Sequence, residues 1–218
     1  MAGLHRGSFV EADLFDGAKQ HPGEAEAIGE GMLFAFRGNT GFFAHKETDG
    51  TLHVHLGLRV PEDWIDAIDF DDTPVAKNAV LAYLDGWIGA LRGLIANADT
   101  SLTPRRINAL PVGTRWDRVP AVTLLGDAAH VMSPFAGEGA NLAMHDGALL
   151  ALAIAARPGN TEAALAEYET DLFHRPTEAA GQSAQSLDLL FSDTSPDGLL
   201  DMFSEIDAQI AAGKVEQH

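Results

Sequence analysis

The chain has no cysteine, which excludes disulfide frameworks, thiolate zinc sites and cysteine nucleophiles together. It is also poor in positive charge, with 14 Lys plus Arg against 32 Asp plus Glu and a formal net charge of −18. Such a surface repels phosphate backbones and anionic lipid, so no nucleic-acid and no membrane partner is expected. Long apolar runs are missing too. The longest, 147–156, is closed off by Asp146 and Arg157 and is about half of the roughly 20 residues a membrane helix needs. It reads as a buried helix of a soluble protein. The opening MAGLHRGSFVEADLFDG has no continuous apolar region behind a basic start, so no secretory signal is read and the default location is cytoplasmic. Internal repeats and low-complexity tracts are likewise lacking. What is present is 218 residues, 46% of them hydrophobic, enough to bury a core without metal or disulfide staples.

Along the chain, residues 1–30 are acidic with scattered apolar positions, which predicts mostly loop and one short strand at most. From Met32 to Val60, three runs rich in Phe, Val and Leu are separated by Gly38-Asn39 and Asp49-Gly50, turn dipeptides that predict an antiparallel meander. The third run alternates Val54, Leu56 and Leu58 with His53, His55 and Gly57, so its histidine face lines either solvent or a pocket. Pro61-Glu62-Asp63-Trp64 opens a helical turn. Val80, Leu81, Leu84, Ile88, Leu91, Leu94 and Ile95 then recur at helical spacing, predicting one helix over 75–97. A strand follows from Arg105 to Leu110. The apolar run 121–125 predicts a strand buried on both faces, whose end is where α/β proteins bind ligands. Helices are expected over 140–156, over 161–192 with a bend near Arg175-Pro176, and over 197–211.

One segment stands out: Gly126-Asp127-Ala128-Ala129-His130, a loop Ser133-Pro134-Phe135-Ala136-Gly137-Glu138-Gly139-Ala140-Asn141, and Asp146 five residues on. It places an acidic residue at a strand end, glycines that let a ligand approach the backbone, and a helix start aimed at it. A helix start favours negative charge by roughly 0.3–1 kcal/mol. The expected ligand is flat or polyhydroxylated and negative during the reaction. Gly137-x-Gly139 is no dinucleotide fingerprint, because Leu142 holds the third glycine's place and no strand precedes it. Ser133, His130 and Asp127 lie too close along one loop for triad geometry.

The segment resembles the second flavin motif of FAD-dependent aromatic-hydroxylase-type (class A) monooxygenases, GDAAHxxxPxxGxGxNxxxxD, at every fixed position. The order of strands, PEDW turn, helix, Arg106-xxx-Leu110-Pro111, motif and C-terminal helices is similar to the tetracycline-modifying branch from about Gly31 to Phe203. An arginine of that branch at the start of the first strand has Gly31 or Met32 in its place. The resemblance implies an α/β (α+β) fold: an antiparallel substrate-domain sheet plus the C-terminal part of a FAD-binding, glutathione-reductase-like domain with long C-terminal helices. It implies a partial substrate domain over 1–112, the flavin-motif segment over 113–160 and C-terminal helices over 161–218. It implies FAD as cofactor, held by Gly126, Asp127, Pro134, Gly137, Gly139, Ala140 and Asn141, with NAD(P)H as electron donor. Phe43, His53 and Phe135 are implied to face an aromatic or polycyclic substrate, His53 in a G-x-L-H setting; by residue pattern alone His53 is equally an ordinary solvent-facing strand histidine. The flavin carries the chemistry, so no protein nucleophile and no metal are implied.

The family's GxGxxG unit for the ADP half of FAD does not occur in residues 1–125. The chain therefore resembles the C-terminal half of a longer monooxygenase. A flavin-free module that binds a small molecule, and a half-enzyme that needs an N-terminal partner protein, are the alternatives.

Overall fold

Alternation of Val10, Ala12 and Leu14 with Phe9, Glu11 and Asp13 makes the first described stretch a strand, β1 (Leu4–Leu14). The computed structural model describes residues 4–211. This corrects the expectation of mostly loop with at most one short strand over 1–30, since the strand is long and is followed by the short helices α1 (Gly17–Gln20) and α2 (Pro22–Ile28). The period-two signal was present, but acidic residues on the odd positions disguised it.

The meander forms as its turns dictate, with β2 (Met32–Arg37), β3 (Thr40–Lys46) and β4 (Leu52–Leu58) paired antiparallel. β1 pairs antiparallel with β4, and β5 (Thr103–Ala109) closes the order β2-β3-β4-β1-β5. One face of this sheet is the core: Val10, Leu14, Phe42, Leu52, Val54 and Leu56 are fully buried with Val80, Leu84, Leu94 and Ile95. Those last four come from what was expected as one helix over 75–97. It is two, α3 (Thr73–Leu81) and α4 (Gly89–Ala96), because a 3-10 turn at Ala82–Leu84 and the Asp85-Gly86 turn divide them. Asp72 caps α3 by accepting from the Val75 N–H.

The remaining elements are α5 (Asp127–His130), α6 (Gly139–Ala156), α7 (Thr161–Leu172), α8 (Arg175–Leu190) and α9 (Asp197–Ala211). The expected helix over 161–192 breaks at Phe173-His174 rather than bending, and Pro176 sits in the first turn of α8, where its missing N–H costs nothing. The expected buried strand over 121–125 is absent. Those residues are irregular and Val122, Leu124 and Leu125 are exposed. A strand exists only as part of a ladder, and no described strand runs alongside to take its hydrogen bonds. Nor is α6 a buried helix: Met144 and Leu152 are exposed and Asp146 is its one buried residue. By length and composition α6 is the one described helix apolar enough to cross a membrane, and Asp146 ties its middle to α5 and α8.

The chain divides into two compact units, one of residues 108–188 with the first described residues up to Arg6, the other of 7–107 with 189 onward. In the second, Gly41 and Gly57 face each other across β3 and β4 and form a floor for an aromatic ring. A Cβ on Gly57 would stand 2.6 Å from the buried Phe191 ring. Gly57→Ala is therefore expected to destabilise the chain by about 1–3 kcal/mol through displacement of that ring, read as a lowered urea midpoint at unchanged slope.

Candidate functional site

The flavin-like motif is organised by a buried carboxylate. Asp146, 1% exposed in the middle of α6, accepts hydrogen bonds from the Gly126 N–H at 3.0 Å, His130 Nε2 at 2.6 Å and Arg175 at 3.0 Å. Burial pushes its carboxyl upward, and the three donors more than offset that, so it sits below the ordinary aspartate value. Gly126 has φ +57 and a Cβ there would meet Ala143 at 3.1 Å, so only glycine makes the turn that swings Asp127 outward. Asp127 then opens α5 exposed to solvent. The following loop is pinned underneath by buried Ser133, whose hydroxyl lies 2.6 Å from that of Ser183 in α8. Tyr168 donates to the Leu124 carbonyl at 3.4 Å, and burial with the nearby Asp146 charge pushes its phenol up to about 12, which keeps it a donor.

Asp127, Met132, Ser133, Pro134, Gly137, Gly139, Ala140 and Ala143 surround an open hollow of about 510 Å³. α6 enters it without a side-chain cap, leaving its first N–H groups for a ligand. A side chain on Gly139 would meet nothing within 4 Å, so that glycine leaves the hollow clear for a close approach rather than serving internal packing. These features fit a flat, anionic cofactor. Asn141 lies exposed in the first turn of α6, outside that lining, and Gly126 is buried behind it. Phe135 is half-buried in the 3-10 turn Pro134–Ala136.

Phe43 and His53 lie together in the other unit, on the sheet face opposite the core. Pairing sets Phe34, Phe43, His55 and Glu11 in one cross-strand row and Met32, His45, His53 and Asp13 in the next. Phe43 packs edge-on against Phe9, Phe34 and Phe36 with centroids 5.3–5.9 Å apart. Phe34, Phe36 and Phe43 line a hollow of about 530 Å³ with Leu199, Leu200 and Phe203. His53 Nδ1 is 2.5 Å from Asp13, and Glu11 holds Arg105 at 3.1 Å. Burial, then the neighbouring His53, holds His55 below the ordinary imidazole value.

Residues 91–182 match the family model described as FAD binding domain. This stretch is similar to the FAD-binding family. The chain is 40% identical over 84 residues, 38% of its length and 9% of the relative's, to a dual O-methyltransferase/FAD-dependent monooxygenase, elcB, of Phaeosphaeria nodorum. Its fold is similar to Klebsiella pneumoniae HpxO complexed with FAD and uric acid, at TM-score 0.72 and 20% identity over 98% of this chain and 54% of that one. It is also similar to the tetracycline destructase Tet(51), at TM-score 0.62 and 12% identity over 98% and 56% of the two chains. The chain thus spans about half the length of these two solved structures and a small part of the curated relative. FAD is the cofactor of this family, as the motif's resemblance implies.

Two contributors escaped the motif reading. Arg175 registered only as the neighbour of a proline, yet it closes the Asp146 clamp. Asp13 lay in a stretch read as loop, and only the β1–β4 register opposite His53 reveals it.

Proposed function

We propose that this chain is the C-terminal portion of a flavin-dependent monooxygenase that hydroxylates an aromatic or polycyclic small molecule. The observation that carries the reading is the hollow at the uncapped start of α6 with Asp127 on its rim. When bound, FAD would supply the redox chemistry, with NAD(P)H as electron donor and O2 giving one oxygen atom to the substrate and the other to water. The chain's own residues do the holding. Asp127 accepts from a ribityl hydroxyl, while Pro134, Gly137, Gly139 and Ala140 offer backbone to the ring and the start of α6 favours negative charge beside it. Asn141 adds a polar group at that helix start, and Gly126 sets the turn. Phe43 and His53, with Phe135 from the motif loop, contact the substrate.

FAD titrated into the full chain is expected to quench flavin fluorescence, with riboflavin as the control that lacks the ADP half. Asp127→Ala is expected to weaken FAD by about 1.5–3 kcal/mol, roughly tenfold to a hundredfold in dissociation constant. An unchanged constant removes Asp127 from the site.

A second reading rests on the exposed apolar run Val119, Val122, Leu124 and Leu125. A separate N-terminal segment carrying the ADP-binding unit pairs with this run, and the site is complete only in that complex. Riboflavin binding equal to FAD binding by the chain alone supports it. FAD binding far tighter than riboflavin opposes it.

A further inference from the structure

The clamp around Asp146 uses only one nitrogen of its histidine. An ionised carboxylate only accepts, so the 2.6 Å contact makes His130 Nε2 the donor to Asp146. The other ring nitrogen, Nδ1, is buried without a protein partner, in a side chain that is 5% exposed. A polar atom taken out of water in this way needs a partner from somewhere, whichever charge the ring carries.

The same histidine lines a cavity of about 20 Å³ within the motif-bearing unit. Asp146 is not one of its walls, so the cavity borders the part of the ring that the clamp does not use. Val131, Leu172 and Phe173 make apolar walls, and Thr114 and Thr177 bring hydroxyls. Thr114 donates its hydroxyl hydrogen to the Pro111 carbonyl at 2.6 Å and Thr177 donates its own to the Phe173 carbonyl at 3.2 Å. With those hydrogens spent, both threonine oxygens can only accept.

Size and donor set define the occupant. A water molecule needs about 10–15 Å³ and two to four polar partners, so this cavity takes one water and no organic ligand. One imidazole nitrogen and two hydroxyls are too poor a donor set for a metal ion. Water also suits His130 in either charge state, because it donates to the lone pair of a neutral ring and accepts from the N–H of a charged one.

We infer that this cavity is a site for a single internal water that hydrogen-bonds His130 Nδ1 and donates to the hydroxyl oxygen of Thr114 or Thr177. The imidazole is then held at both nitrogens, by Asp146 of α6 on one side and by the water on the other. Thr177 lies on α8, so the water joins α5 to the helix that also supplies Arg175 and Ser183. The inference is independent of the flavin reading.

A crystal structure of the full chain that shows ordered water tests it directly. A water oxygen is expected about 2.7–3.2 Å from His130 Nδ1, with a second contact to a threonine hydroxyl. An ordered His130 with no water at that nitrogen, or Nδ1 bonded to a protein group, overturns the inference. The double variant Thr114→Val with Thr177→Val keeps the shape of the walls and leaves the water one partner, too few to hold it. Its structure is expected to lack the water, and a water retained at full occupancy overturns the site as built. 15N NMR reads the same contact in solution: the Nδ1 resonance of His130, assigned by its loss in His130→Gln, is expected to shift between wild type and the double variant while Nε2 stays in place. An Nδ1 resonance identical in the two proteins overturns the inference.

Discussion

Asp146→Ala is expected to destabilise the motif-bearing unit by about 3–5 kcal/mol, because it strands the Arg175 guanidinium without its counter-charge and leaves two buried donors, the Gly126 N–H and His130, without an acceptor. Asp146→Asn keeps the shape and an acceptor oxygen but removes the charge, so it is expected to fall between alanine and wild type. Urea unfolding of the full chain, followed by the fluorescence of Trp116 with Trp64 and Trp87 replaced by phenylalanine, reports on this unit. Equal midpoints for Asp146→Ala and wild type would remove the clamp from the account. A pH dependence follows from the same contacts. The folded carboxyl sits below the ordinary value of 3.8, so its contribution is complete above that value and is lost as pH falls through the lower, folded one. Asp146→Asn is expected to flatten this part of the acid limb.

Phe42→Ala is the second large effect, at about 3–5 kcal/mol. The ring is fully buried and meets Trp87 edge-on at 5.3 Å, so truncation leaves a cavity the rigid sheet cannot close. Phe42→Leu refills most of that volume and is expected to recover more than half of the loss. The measurement separates the two faces of one strand. Phe42 anchors β3 to the core while Phe43 lines the aromatic hollow, so a Phe43→Leu change is expected to alter affinity for the aromatic probe 4-nitroanisole with a much smaller loss of stability. A Phe43→Leu loss as large as that of Phe42→Ala would mean the hollow is part of the core.

The meander, its turns and the flavin motif were legible because each depends on local chemistry: Gly38-Asn39 and Asp49-Gly50 close hairpins wherever they stand. The failures share another cause. The 75–97 stripe has helical spacing throughout, and spacing does not register that Asp85-Gly86 turns the chain in its middle. The run 121–125 is as apolar as a central strand, but strand formation needs a neighbour that composition does not supply. Of the site, the motif residues were readable as a string. Asp13 and Arg175 were not, since one meets His53 forty positions away through sheet register and the other reaches Asp146 from the first residue of α8, twenty-nine positions on.

The clamp also sets a boundary that the motif itself conceals. The recognisable string ends at Asp146, whereas the contacts that shape it end at Arg175 and Ser183, both on α8. A peptide or fusion cut to the string carries every signature residue and lacks the cation that pairs with Asp146 and the hydroxyl that meets Ser133. The smallest portable version of this loop therefore includes α6, α7 and α8, and grafting it means transplanting three helices rather than a loop.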